Sequence, residues 1–237
     1  MSKLKICGLK RLQDIQYVNQ YSPDYVGFVF AKSTRQVTPG QAAELKRALK
    51  PEIRSVGVFV NEEIDRIITL LEEGIIDFIQ LHGDEDIAYV KRLQEKIGRL
   101  PVKGSRQQGK IIKAIRVSDR QDIEKSLIFP TDYLLFDTYT RGQYGGSGEC
   151  FDWKLLKEVD RPFFLAGGLQ LGNIQEAVEA VHPYCLDISS GAETDGVKDE
   201  EKIRRLVETV KAASGSGKSR EIKNFPAEFV LMHKYPR

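Results

Sequence analysis

Few side chains in this sequence are equipped for chemistry, and where they stand matters more than how many there are. The three cysteines, Cys7, Cys150 and Cys185, lie far apart, are odd in number and show no Cys-x-x-Cys spacing. That pattern argues against a disulfide framework or a structural zinc, so a thiol of interest here is of interest as a thiol. Cys7 ends the apolar run LKIC and is followed by Gly8; Asp137 ends the apolar run DYLLFD. Arg35 lies in AKSTRQVTP, and His82-Gly83 follows DFIQL. Two further runs end in groups that expose backbone: Ala166-Gly167-Gly168 and Ser189-Ser190-Gly191.

Each of these has a chemical use and a plainer one. Partial desolvation favours the protonated form of a carboxyl group, so Asp137 suits a proton donor; the plainer role is a helix cap or a loop hydrogen bond. Cys7 is either a small core residue or a base. Strand alternation puts Lys5 on the same face as Cys7, and its ammonium is expected to lower the thiol pKa. Arg35 offers a planar fork that pairs with a carboxylate through two bonds, or else a salt bridge to a neighbouring loop. The glycines let main chain approach an oxyanion closely and the serines add donors, unless both segments are only tight turns.

These residues need elements that bring them together. Short apolar runs alternate with amphipathic stretches along the whole chain, which is the mark of parallel βαβ units. The strand candidates are residues 4–7, 25–30, 55–60, 77–81, 110–117, 132–137, 162–167 and 185–190, each short and apolar enough to be buried on both faces. Amphipathic patterns follow each of them, from LQDIQYVNQY through FDWKLLKEV to KDEEKIRRLVETVKAA, with Pro39, Asn61 and Asp119 as start signals. Eight rounds match a single-domain (β/α)8 TIM barrel better than an open doubly wound sheet. In such a barrel the active site is built at the C-terminal ends of the strands, and phosphate is held after strands seven and eight, where the Gly167 and Ser189 segments fall.

Residues 1–213 are assigned to the barrel and 214–237 to a C-terminal extension that begins like a linker, SGSGKS, and contains one short apolar run, FVLM. Docking on the outside, tethering a partner and disorder all stay open for it. The polar stretch 99–110 reads as a surface loop on the face away from the site. With 36 basic and 34 acidic side chains, the formal charge is +2 and no footprint for nucleic acid is visible. The first residues lack the apolar run of a signal peptide, and no segment is apolar enough to span a membrane, so a cytoplasmic location is expected.

Along residues 3 to 213 the chain resembles the phosphoribosylanthranilate isomerases. The resemblance is carried by KICGLK, VGFVFAKSTRQVTP, VGVFVNE, IQLHGDE, FDTYTRGQYGGSGECFDW, FLAGGL and LDISSGAETDGVKD, in that order. It implies an aldose–ketose isomerase of tryptophan biosynthesis that performs an Amadori rearrangement of N-(5-phosphoribosyl)anthranilate. It further implies Cys7 as general base, Asp137 as general acid and Arg35 as the ligand of the anthranilate carboxylate. Gly167, Gly168, Ser189, Ser190 and Gly191 are implied as the phosphate site. No metal or organic cofactor is expected, the partner is a small molecule, and the protein is expected to be a monomer or homodimer. Loop 138–150 is glycine-rich enough for a lid or for a loop that merely moves. Asp187 shares a strand face with Ser189 and can bond the substrate amine or a neighbouring strand, and His82 is assigned no catalytic role. His182, His233, Cys150 and Cys185 are taken as structural. The related sugar isomerisation of histidine biosynthesis is expected to use aspartate where this chain has Cys7. A metal-dependent aldolase would need more converging ligands, and a silent phosphate sensor would not need Cys7 and Asp137 together.

Overall fold

A computed structural model describes residues 1–100, 109–138 and 152–215. Lys3–Cys7 (β1), Tyr25–Val29 (β2), Arg54–Phe59 (β3), Phe78–Leu81 (β4), Lys110–Val117 (β5), Tyr133–Thr138 (β6), Phe163–Leu165 (β7) and Cys185–Ile188 (β8) pair in chain order as a closed barrel. Every neighbouring pair is parallel, and closure is made by β1 on β8, with Lys5 opposite Asp187. The expected (β/α)8 barrel is thus the fold.

Strand alternation divides the apolar side chains into two layers. Leu134 and Phe136 of β6 turn outward into the main core with Val26, Phe28 and Leu81, where the helices cover them. Leu135 turns inward with Tyr25, Val56, Phe78, Ile112 and Phe164 to fill the barrel. Inward residues nearer the strand C-termini include the polar Lys5, Gln80, Asp137 and Asp187, which form a polar patch above the apolar plug. Stacked Tyr133 and Tyr184 line the opposite end, where the Tyr25 and Tyr184 hydroxyls lie 2.9 Å apart.

Leu12–Tyr21 (α1), Pro39–Ala48 (α2), Ile64–Glu72 (α3), Ile87–Gly98 (α4), Arg120–Ser126 (α5), Ile174–Val181 (α6) and Glu200–Gly215 (α7) surround the barrel. Thr38 caps α2 with Pro39 in its first turn, and Asp119 caps α5 by accepting from the Gln121 and Asp122 amides. Asn61 does not cap α3, whose cap position is Glu63. Asn61 has φ 51° and turns its side chain to the Asp84 amide at 2.8 Å, tying two loops together. The helix expected from FDWKLLKEV is, among the described residues, a single 3-10 turn, Trp153–Leu156. Pro162 disfavours a helical Arg161, and so short a segment gains too little from hydrogen bonding to propagate.

β8 is also shorter than expected. It ends at Ile188, and Ser190–Ala192 forms a 3-10 turn leading into a small hairpin of Glu193–Thr194 (β9) and Val197–Lys198 (β10). The hairpin turns on Asp195 and Gly196, at φ 53° and 75°, the two-residue geometry that Asp-Gly favours. Helix α7 runs through Gly215, past the boundary drawn at 213. Most of the 99–110 stretch, Cys150, His233, residues 216–237 and the 138–150 lid candidate beyond Thr138 lie outside the described residues. No helix among the described residues is long and apolar enough to cross a membrane.

Candidate active site

β1 ends with Cys7 turned toward the barrel mouth and buried. Its register partner on β2 is Gly27, and a Cβ there would stand 2.5 Å from the Cys7 sulfur, so glycine provides the space the thiol occupies. Lys5, two residues earlier on the same face, is fully buried. Its Nζ donates to Gln80 Oε1 at 2.6 Å and to Asp187 Oδ2 at 2.8 Å. The expectation that Lys5 lowers the Cys7 pKa is met in sign but not in outcome. Burial pushes the thiol up, and this outweighs the downward pull of Lys5 and Lys198; Asp187 adds to the rise. A buried sulfur loses more by shedding water than one shared ammonium returns.

Asp137 ends the inward face of β6 and is buried. His82, just after β4, brings Nε2 to 3.2 Å from Asp137 Oδ2. The two atoms are close enough for an ion pair, yet the ring hydrogen is not aligned on the carboxylate for a hydrogen bond. β4 and β6 are not neighbours, so the contact passes over β5 across the barrel mouth. The other ring nitrogen, Nδ1, is 3.1 Å from Gln80 Nε2. A continuous row of polar contacts therefore runs Asp187, Lys5, Gln80, His82, Asp137, from β8 through β1 and β4 to β6.

Arg35 lies in the loop after β2, its stem packed over Gly8, where a Cβ would be 2.5 Å from Arg35 Cδ. Gly8 has φ 85°, a conformation other residues rarely adopt. The guanidinium donates through Nε and Nη2 to the two Glu193 carboxylate oxygens at 2.7 and 2.6 Å. Glu193 also accepts from Lys198 Nζ at 2.6 Å, and that ammonium reaches the Ser189 carbonyl at 3.0 Å. Burial pushes the Glu193 carboxyl up, but the hydrogen bonds from Arg35 and Lys198 outweigh it and hold the pKa at about 2. Arg35 is raised above its ordinary value, first by its hydrogen bonds to the same carboxylate.

The two glycine-bearing turns lie side by side. Gly167 and Gly168 have φ 85° and 63° after β7. A Cβ on Gly191 would run into the Leu169 carbonyl oxygen, so backbone of the β8 turn lies directly on backbone of the β7 turn. Ser189 Oγ donates to the Cys7 carbonyl at 3.1 Å, which ties the β8 turn to the end of β1. Ser190 is exposed and begins the 3-10 turn. Asn173 donates to the Gly168 carbonyl at 3.0 Å and steadies the β7 turn.

The eight residues implied as catalytic or ligand-binding all belong to the C-terminal ends of strands or the loops that follow them. Gln80, Glu193 and Lys198 were not singled out. The Asp195-Gly196 pair was a readable sign of the hairpin that presents Glu193 and Lys198. Gln80 had only its polarity in an otherwise apolar strand to mark it.

A family model described as N-(5'phosphoribosyl)anthranilate (PRA) isomerase matches residues 4–209. The N-(5'-phosphoribosyl)anthranilate isomerase of Endomicrobium trichonymphae is 50% identical over 211 residues, spanning 89% of this chain and 98% of that protein. Among solved structures, phosphoribosyl anthranilate isomerase from Thermotoga maritima aligns with a TM-score of 0.78 and 34% identity, covering 90% of this chain and 100% of its own. Another phosphoribosyl anthranilate isomerase structure, in complex with reduced 1-(o-carboxyphenylamino)-1-deoxyribulose 5-phosphate, aligns at 0.75 and 32% identity, with 90% and 100% covered.

Proposed function

The chain belongs to the N-(5'-phosphoribosyl)anthranilate isomerase family, and on that premise we propose that it isomerises N-(5'-phosphoribosyl)anthranilate with Cys7 as general base and Asp137 as general acid. The product is 1-(2-carboxyphenylamino)-1-deoxyribulose 5-phosphate, an intermediate of tryptophan biosynthesis. The observation that carries the assignment of roles is the placement of both groups. Each ends an inward strand face at the same rim, beside the two glycine-bearing turns.

Asp137 gives its proton to the furanose ring oxygen, the C1'–O bond breaks, and the sugar opens to a cationic Schiff base. Cys7 thiolate takes the C2' proton, and the electron pair of that C–H bond moves toward nitrogen to give the enolamine. Tautomerisation of the enolamine gives the ketose. Burial favours the neutral thiol, while the positive Schiff-base nitrogen, one carbon from C2', favours the thiolate at the step that needs it. Each placed acid or base contributes about 10² to 10⁴ in rate.

Arg35 binds Glu193 through its Nε edge. The guanidinium fork has a second edge, Nη1 with Nη2, and this edge takes the anthranilate carboxylate. The backbone of Gly167, Gly168 and Gly191, with Ser189 and Ser190, holds the phosphate at the place where (β/α)8 barrels hold it. The barrel through the end of α7 at Gly215 forms the catalytic unit and the residues after it an extension, in keeping with a family match that ends at 209.

The test mixes purified protein with freshly generated phosphoribosylanthranilate and follows loss of substrate fluorescence for the wild type, Cys7→Ser and Asp137→Asn. Wild-type turnover with both variants slowed at least about 10²-fold is expected. No wild-type turnover removes the isomerase; full activity in either variant removes that residue's role.

A further inference from the structure

We propose that His82, with its hydrogen on Nε2, is a positioning residue that holds the Asp137 carboxyl group in register for proton delivery, and that Lys5 and Gln80 set that tautomer. The inference rests on Asp137 as the acid of the isomerisation and adds what keeps it in place.

The assignment follows from which groups can only donate. An ammonium has donors and no acceptor, so the Gln80 atom 2.6 Å from Lys5 Nζ must be the carbonyl oxygen. That fixes the amide, and its NH2 group faces His82 Nδ1 at 3.1 Å. An NH2 donates, so Nδ1 must accept, and the ring hydrogen lies on Nε2. Reversing the amide would set ammonium hydrogens against amide hydrogens. Protonating Nδ1 would set two donors face to face. Lys5 is itself anchored by Asp187 at 2.8 Å, so the direction of the row is determined from β8 onward.

The Nε2 hydrogen then points toward the acid. Nε2 is buried without a hydrogen bond among the described residues, and Asp137 Oδ2 is 3.2 Å away but out of line. A small rotation of the carboxyl group completes the bond, as happens when catalytic contacts tighten around a substrate. Bonding to Oδ2 leaves the deliverable proton on Oδ1, and the same N–H stabilises the carboxylate once that proton has gone.

His82 is held firmly enough for this work. Its amide donates to the Phe59 carbonyl at 2.8 Å. The next residue is clamped from both sides: the Gly83 amide donates to Glu85 Oε2 at 3.0 Å, and Lys113 Nζ donates to the Gly83 carbonyl at 2.8 Å and to Glu85 Oε2 at 2.9 Å. On β5 Lys113 alternates with the inward Ile112 and Ala114, so the buried Lys113–Glu85 pair lies on the outer face of the barrel. It fixes the loop from which His82 reaches across the mouth.

The experiment combines imidazole nitrogen NMR of the resting protein with steady-state kinetics of His82→Leu, His82→Gln and Gln80→Glu. The expected spectrum has the His82 hydrogen on Nε2 in the wild type and on Nδ1 in Gln80→Glu, where a carboxylate faces that nitrogen. His82→Leu lowers kcat about 10²-fold with KM within about 2-fold, as expected when a reacting group loses its alignment. His82→Gln, whose amide nitrogen reaches the Nε2 position, recovers most of kcat. Adding His82→Leu to Asp137→Asn costs nothing further, because the leucine acts only through the acid. A wild-type hydrogen on Nδ1, an unchanged kcat in His82→Leu, or an equal loss in the Asp137→Asn background would each overturn the proposal. Should His82→Leu fail to fold, the spectrum and the kcat of Gln80→Glu decide. A wild type that does not turn over would count against the isomerase itself, while the spectrum, read without substrate, would still decide the tautomer.

Discussion

Gly27 and Cys7 share one space: a Cβ on the glycine would stand 2.5 Å from the thiol sulfur and 3.0 Å from the Cys7 Cα. The two are register partners on adjacent strands, so neither can move aside without disturbing the sheet. Gly27→Ala should therefore displace the sulfur rather than be absorbed. We expect kcat to fall about 10²-fold, as for a misplaced reacting group, with a stability cost of about 1–3 kcal/mol from overpacking. Kinetics and thermal unfolding of the variant measure the two effects, and an unchanged kcat would show that the thiol position is not critical.

Lys5 both bonds Asp187 and Gln80 and acts on Cys7, so its loss should have two consequences. Lys5→Met leaves Asp187 and Gln80 buried without their cation, and removing one partner of a buried pair typically costs about 3–5 kcal/mol. The pull that Lys5 exerts on Cys7 is downward, so the thiol should titrate at higher pH in the variant. Urea unfolding reads the first effect and thiol-reagent kinetics against pH the second. An unchanged thiol titration would rule out electrostatic coupling between the two side chains.

Burial holds the Cys7 thiol above its ordinary value, so the thiolate fraction of the free enzyme grows as pH rises into the alkaline range. With Cys7 as base, kcat/KM should climb over the same range. The linked stability has the opposite sign. The folded state binds the thiol proton more tightly than the unfolded one, so this contribution is complete below the unfolded pKa and is lost as pH rises through the folded one. A kcat/KM profile flat from neutral to alkaline pH would contradict the assignment of the base.

Glu193 behaves the other way. Its folded pKa of about 2 lies below the ordinary 4.5, so its contribution is complete above the unfolded value and is lost as pH falls from there toward 2. The stability difference between wild type and Glu193→Gln should therefore shrink as pH is lowered through that window. Urea unfolding at several acidic pH values measures it. A difference that stays constant would mean that Arg35 and Lys198 do not hold the carboxylate.

Gly191 has no room for a side chain, because a Cβ would run into the Leu169 carbonyl. Gly191→Ala should push the β7 and β8 turns apart and weaken phosphate binding more than chemistry. A rise in KM of about 10-fold or more with kcat nearly kept is expected, comparable to the loss of one charge-assisted hydrogen bond. Weaker inhibition by inorganic phosphate should accompany it, and an unchanged KM would place the phosphate elsewhere.

What the sequence determined by itself is what local physics can encode. Two-sided burial makes a parallel strand read as a short apolar run, and eight such runs alternating with amphipathic segments specify the barrel. A barrel in turn gives meaning to whatever residue ends each strand, so position marked Cys7, Asp137, Gly167 and Ser189 as candidates, while their roles were implied only by the family resemblance. Elements that depend on their surroundings were less so. The helix expected from FDWKLLKEV is, among the described residues, only a 3-10 turn, and Asn61 left the cap position to bind Asp84.

The tertiary structure alone decided who partners whom. Lys5 meets Gln80 and Asp187 across separations of 75 and 182 residues, and Arg35 meets Glu193 across 158. No spacing rule spans such distances, because closing the barrel is what brings those side chains together. The same closure reversed the expected net effect on Cys7: an ammonium beside a thiol can be read from alternation, but the loss of water around the sulfur arises only when the ring of strands has shut.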